Sequence, residues 1–461
     1  MKSDENRYTR AMAGFIAGLR FADIPQEVLD RIKLLILDAL GCAIFGAHLE
    51  WSRILRETLI AVDATPACAV WGTGARLSAP HAALANGTFV QSFELDDVHR
   101  EGVLHVGAVA LPPLLAIAEM RRPMTGREFL RAAVAGYEIG PRVGMCMGPQ
   151  HLVQGWHSGA TVGVFSAAAS AAAALCLDSG KTVHALGIAG TQASGLMAAQ
   201  FGSMVKRMHA GRAAQSGLYA GLLAERGFTG ITDVFENRYG GFCTTFSASE
   251  DHFNRDALTS GLAERYETLR ISLKLYSCVS TNHTSLDALR IIGERRRLNG
   301  KEIENITVRC SRATLEHAGW NYRPDGITAA QLNLSFCIAT LLLEGDVFVD
   351  QFSEQSIRDP ARIALAGKVH VQEDTEITVR GAKFRHMVNV TVQFTDGMIL
   401  SETVTAPRGS EENFPAADMI IDKFRKLTAR LPRERAERLE HLVLDLENLG
   451  DCSELAQALA F

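Results

Sequence analysis

Residues 161–177 read TVGVFSAAASAAAALCL, and the reading of that run decides the fold. It is the most membrane-like stretch of the chain, yet it is short, dominated by alanine, and carries Ser166 and Ser170. A membrane span needs about 20 consecutive apolar residues. Small side chains instead let helices approach closely, so the run predicts a buried helix in a crowded bundle. Upstream, Glu27–Gly46 places Val28, Ile32, Leu35, Ile36 and Leu40 at spacings of three and four. That spacing is the apolar stripe of an amphipathic helix. Leu111–Met120, Gly126–Met145 and Ala213–Arg226 also read as helices. Thr125 opens the second of these, with Glu128 and Glu138 available for pairing, and Glu138 and Arg142 at i, i+4 suggest a surface pair. Glycines such as Gly202, Gly211 and Gly227 mark expected helix ends.

The pattern changes after about residue 270. Glu304–Arg312 and Met387–Phe394 alternate apolar and polar residues, and Ile399–Val404 follows Asp396-Gly397. The last two runs predict a β-hairpin with a tight turn. Val369–Val371 and Ile377–Val379 are candidate further strands, Ala329–Gly345 and Asp359–Ala364 candidate helices. Helical periodicity returns in Ala417–Leu431 and Arg433–Leu449. The expected architecture is mainly α. A large helical domain (1–268 and 407–461) is interrupted by a smaller α/β lid domain (269–406), and a cleft between them is the expected ligand site.

Composition narrows the function classes. The 461 residues carry 47% hydrophobic side chains, enough for large cores, and a net charge of −5 that disfavours a nucleic-acid partner. Nine scattered cysteines form no C-x-x-C pair, which fits a reducing compartment and no zinc ribbon. The polar start MKSDENRYTR lacks a signal-peptide core. A cytoplasmic protein with no membrane partner is expected. No phosphate-binding loop G-x4-G-K-S/T, no G-x-G-x-x-G after a strand and no G-x-S-x-G elbow occurs, so no nucleotide cofactor and no serine-hydrolase nucleophile is suggested.

Four clusters carry candidate chemistry. Ser92–Gly107 gathers Glu94, Asp96, Asp97, His99, Glu101 and His105, and carboxylates beside imidazoles orient rings for proton transfer. A solvated loop is the alternative; a metal site lacks the usual ligand spacing. Gly155-Trp156-His157 sets an imidazole just before the alanine-rich helix, as an anion-binding group or a capping histidine. GSMVKRMHAG (202–211) crowds Lys206, Arg207 and His209 among small residues, as a carboxylate clamp or a basic surface turn, with Arg212 following. KLYSCVSTNHTSLD (274–287) supplies Lys274, Tyr276, Cys278 and His283, where a Cys–His nucleophile competes with a core cysteine.

In this order the clusters resemble the MmgE/PrpD family, which includes 2-methylcitrate dehydratase, cis-aconitate decarboxylase and iminodisuccinate epimerase. The matching text is LDALGCAIFG, ALANGTFVQSFELDD, His105-x-Gly107, AGYEIGPRVG, GWH, GSMVKRMHAGRAAQSG, K-x-Y-x-C-x4-H, and Tyr322-Arg-Pro followed by AQLNLSFCIA. The resemblance spans nearly the whole chain. It implies a helical domain with an α/β lid, commonly a homodimer, and a cofactor-independent enzyme with no metal, moving protons on a small di- or tricarboxylate. It implies His105, His157, Asp96, Asp97 and Lys206 as catalytic residues. Lys274, Arg207, His209, Tyr276, His283 and Tyr322 are the implied substrate contacts. A 2-methylcitrate dehydratase-like lyase is the first expectation; an epimerase or isomerase, a decarboxylase and a non-catalytic binding protein are the alternatives. Val98 departs from a common Thr, Val106 and Ser277 from common prolines, Arg207 from a Pro, and Val279 from the His of decarboxylase-like lid motifs.

Overall fold

Val28, Ile32, Leu35, Ile36 and Leu40 are all fully buried on one long helix, Gln26–Gly46 (α1). The computed structural model describes residues 7–63, 65–121, 123–200 and 203–461. It divides into two units. The first takes the described residues up to Ser92, then Asp96–Ser272 and Ala416–Phe461; the second takes Phe93–Leu95 and Leu273–Pro415. The protein is mainly α, as its periodicity predicts.

The first unit is built around Ala79–Val90 (α2), Val106–Met120 (α3), Gly126–Val153 (α4), Gly163–Ala174 (α5) and Val205–Glu225 (α6). The alanine-rich run becomes α5, buried from Gly163 to Ala173 and packed by α3, α4 and α6. Small residues set the spacing. A Cβ on Gly211 would fall 2.0 Å from the Leu84 carbonyl oxygen, and one on Gly87 would fall 2.8 Å from Gly211 Cα. The backbones of α2 and α6 therefore meet directly. Among the described residues no single helix is long and apolar enough to cross a membrane, and the one bent pair that qualifies together turns through 82°.

Several local expectations give way to packing. Helix α3 starts five residues before Leu111, so Pro112 and Pro113 lie inside it, and Val106–Glu119 are buried throughout. Helix α4 runs past Met145 to Val153 with a break at Gly148, φ 59°. Its start keeps the expected Thr125, in a capping box with Glu128. Gly211 lies inside α6 and ends nothing, and the stretch from Val205 is helix, not a turn. Gly227 does follow the end of α6, at φ 89°, and Gly202 lies outside the described residues. Glu138 and Arg142 are not a surface pair: both are buried, 3.8 Å apart. Glu138 accepts from the Glu267 and Thr268 amides, while Arg142 donates to the Ser260 and Arg265 carbonyls.

In the second unit Ser280–Arg295 (α7) and Leu334–Glu344 (α8) accompany a four-stranded sheet. Ile303–Cys310 (β1) pairs parallel with Val369–Glu373 (β2) and antiparallel with Val388–Phe394 (β3), which turns back into Ile399–Val404 (β4). The order is β2-β1-β3-β4. The Asp396-Gly397 turn has Gly397 at φ 87°. Ile377–Val379 is not a strand. Asp374 caps a helical turn at Thr375–Thr378, accepting from the Glu376 amide at 3.0 Å.

Replacing Gly211 by alanine should cost about 1–3 kcal/mol, the usual penalty for overpacking a tight contact. Differential scanning calorimetry would register it as a lowered Tm, and an unchanged Tm would mean that α2 and α6 are not in backbone contact.

Candidate active site

Two adjacent carboxylates in the acidic stretch do different work. Asp96 is fully buried, and its Oδ2 lies 2.8 Å from His105 Nδ1. A carboxylate there requires the proton on Nδ1 and leaves Nε2 for chemistry. His105 caps the start of α3 and its side chain keeps 16% exposure. Asp97 instead accepts from the Gly107 amide at 2.9 and 3.2 Å and from the Tyr137 hydroxyl at 2.8 Å. It thereby ties the first turn of α3 to α4. Burial, then the neighbouring Asp96, pushes the Asp97 carboxyl up to about 7 against the pull of those hydrogen bonds. Asp38 on α1 forms a buried ion pair with Lys423 at 2.5 Å. Burial favours the neutral amine, yet Asp38 holds Lys423 above its ordinary value. His99 is structural: Nε2 meets Glu267 at 3.2 Å, and Nδ1 accepts from the Gly102 amide. Burial opposes the charge on Glu267, but His99, Arg270 and Arg142 pull its carboxyl down to about 2.

A second group forms around the turn Ser158–Thr161. The buried His157 receives that turn on its carbonyl, from the amides of Ala160 and Thr161, and its own amide donates to Gly195 at 3.1 Å. Its ring lies 4.8 Å from that of His209 on α6. Burial and then the charge of Lys206 lower the His209 pKa, so that ring is held neutral. Lys206 is half-buried on the first turn of α6. Arg207 is buried with its guanidinium 5.7 Å from the centre of the Trp51 ring. His151 on α4 meets the Thr161 hydroxyl at 2.6 Å, and burial pushes its pKa down to about 4.

The second unit holds the other expected residues, mostly in contacts of its own. Lys274 Nζ lies 3.1 Å from Glu94 Oε2, both buried, and Glu94 adopts a left-handed φ of 54°. Tyr276 donates to Asp287 at 2.7 Å and accepts from Arg290 and Arg408 at 3.1 and 2.8 Å. His283 Nε2 meets the Cys278 carbonyl at 3.1 Å, not its sulfur. Burial and then Cys337 push the Cys278 thiol well above its usual range, so no Cys–His nucleophile forms. Tyr322 donates to the Ile357 carbonyl at 2.8 Å. A concavity of about 900 Å³, lined by residues including Arg290, Glu294, Arg297 and Arg408, holds none of the expected site residues. Two of its arginines are already bonded, Arg290 to Asp346 and Arg408 to Asp287.

The structure thus joins Asp96 to His105, and His157 to His209 beside Lys206. It gives Asp97, Tyr276, His283 and Tyr322 internal partners. Sequence reasoning missed Tyr137, the Asp38–Lys423 pair and His151, although LDALGCAIFG contains Asp38 and AGYEIGPRVG contains Tyr137. Among the described residues no group of three or more His, Cys, Asp or Glu is placed to hold a metal ion.

Comparison with known proteins agrees over the full length. Residues 10–254 match the MmgE/PrpD N-terminal domain and residues 276–448 the MmgE/PrpD C-terminal domain. The cis-aconitate decarboxylase-like protein oryM of Aspergillus oryzae is 36% identical, across 98% of this chain and 97% of that protein. The cis-aconitate decarboxylase of Aspergillus terreus is 34% identical, across 98% and 95%, and that of Homo sapiens 27%, across 98% and 94%.

Asp97 should leave a pH signature on stability. The folded chain keeps its proton to about pH 7, whereas an unfolded aspartate loses it near 3.9. Between those values the folded state binds more protons, so this contribution declines as pH rises. Asp97→Asn should flatten that decline in urea melts run between about pH 4 and pH 7. A variant as pH-dependent as the wild type would remove Asp97 from the account.

Proposed function

We propose, from the premise that this chain belongs to the MmgE/PrpD family, that it is a cofactor-independent lyase. Its proposed reaction is decarboxylation of a small unsaturated tricarboxylate of the cis-aconitate type. The observation that carries the reading is the Asp96–His105 pair, a buried carboxylate holding a part-exposed imidazole at 2.8 Å. The motifs alone put dehydration first; the names of the relatives move decarboxylation ahead of it.

The chemistry follows from what each group can do. As carbon dioxide leaves, the electron pair of the broken C–C bond stays on carbon. That pair is shared with the neighbouring C=C–carboxylate, His105 Nε2–H gives a proton to a carbon of this system, and Asp96 supplies the counter-charge to the imidazolium. Lys206 pairs with a remaining carboxylate and lowers the cost of the developing negative charge. His157, with His209 behind it, hydrogen-bonds the anion and positions it. Asp97 acts through His105 by fixing the helix start next to it, so it is a positioning residue.

A second reading uses the same imidazoles, since Val98, next to Asp97, replaces the Thr common in the dehydratase and decarboxylase branches. Removing a proton beside a carboxylate and returning it to the opposite face gives an epimerase from the same imidazoles.

Purified protein incubated in D2O with cis-aconitate and a panel of di- and tricarboxylates, followed by proton NMR, separates these outcomes. Decarboxylation releases carbon dioxide and leaves one deuterium on a carbon of the product. Deuterium uptake with no other mass change indicates epimerisation, and loss of water indicates dehydration. Replacing His105 by glutamine should lower kcat about 10²–10⁴-fold, and Asp96→Asn should also lower it while leaving Tm close to the wild type. Turnover untouched by both substitutions would refute the assignment.

A further inference from the structure

Gln91 closes helix α2, its amide bonded to the Gly87 carbonyl, and its residue is 2% exposed. Both polar atoms of its side chain, Oε1 and Nε2, are buried with no hydrogen-bond partner among the described residues. An unsatisfied buried carboxamide is costly. A chain that needed only volume here would fill it better with leucine or methionine.

The surroundings show what the amide faces. Gly159 lies beside it in the turn after His157. A Cβ on Gly159 would stand 2.9 Å from His157 Cε1 and 3.8 Å from Gln91 Nε2. Only a glycine fits that close to the imidazole, and the carboxamide nitrogen borders the same spot. The ring behind His157, that of His209, also has a buried nitrogen, Nδ1, without a partner among the described residues.

We propose that Gln91 contacts the substrate beside His157, its Nε2–H donating to a carboxylate or hydroxyl oxygen of the polycarboxylate. This rests on the reading of the site as a polycarboxylate site. A carboxamide adds direction without charge. It offers two N–H donors and one acceptor, so an ionised carboxylate meets the nitrogen end and a hydroxyl can bridge both ends. Lys206 supplies attraction for an anion; Gln91 would select which of its oxygens lies next to His157.

The test uses the full chain and propane-1,2,3-tricarboxylate, a saturated tricarboxylate that cannot turn over by decarboxylation of an alkene acid. Its Kd is measured by titration calorimetry, alongside Tm without ligand. Gln91→Met, close in volume, should weaken binding roughly 10- to 100-fold, the loss of a hydrogen bond to a charged group. It should leave Tm equal or higher, because the unsatisfied amide is gone. Gln91→Glu should weaken binding further, and more so at pH 8 than at pH 5, as the new carboxylate repels the ligand. That second variant keeps the test open should Gln91→Met fold poorly. A Gln91→Met protein with lowered Tm and unchanged Kd would make Gln91 structural and overturn the inference, as would unchanged Kd in both variants. A wild type that binds neither this compound nor any member of the carboxylate panel would overturn the polycarboxylate reading, and this inference with it.

Discussion

Buried carboxylates must find partners, and Asp97 shows how much of the first unit follows from that requirement. A charge or hydroxyl moved out of water is tolerated only where hydrogen bonds replace the lost solvent. Asp97 meets the condition with the Gly107 amide from α3 and the Tyr137 hydroxyl from α4. The second bond joins segments 40 residues apart in sequence. The carboxyl consequently fixes where α3 begins, and His105 is the residue that caps it. Removing the carboxyl would leave an orphaned helix amide and an orphaned tyrosine hydroxyl at the same spot.

The same logic repeats outward. Asp38 is held by Lys423, Glu138 by the Glu267 and Thr268 amides, and Glu267 by His99 and Arg270. Such pairs add little net stability compared with apolar packing, but losing one partner of a pair is expensive. What supplies compactness is the close approach of α2, α3, α5 and α6 on glycine and alanine. The small residues bring backbones together, and the polar pairs then dictate a single arrangement.

Much of this was legible in the chain itself. The alanine run, the periodicity of α1 and the alternation of β1, β3 and β4 are local signals, and each element formed where its period said. Most of the failures share a cause, tertiary context overriding a local rule. Pro112 and Pro113 lie inside α3, which is buried on all sides. Gly211 is a contact point and not a helix end, because Leu84 lies against it. Glu138 and Arg142 keep their helical spacing but face inward to loop carbonyls and amides. At the candidate site, residue types marked stretches without assigning tasks within them. Nothing in the order Asp96-Asp97 says that the first orients a ring and the second anchors a helix. Gln91 carried no signal at all, since a lone glutamine becomes informative only when its amide is seen without a partner.

The histidines can be ranked by what surrounds them. His99 is engaged at both nitrogens. His151 is driven toward the neutral form by burial, and His209 by burial and Lys206. A neutral imidazole beside a lysine suits hydrogen bonding to an anion better than delivering a proton to carbon. His105 differs: a buried carboxylate sits on one nitrogen, the other is left for chemistry, and the side chain keeps contact with solvent. Proton delivery needs a ring whose cation is compensated and whose proton can be replaced from water after each turnover. On the proposed reading those two needs separate the roles, with His105 as the proton carrier and the His157–His209 pair as the group that positions the anion.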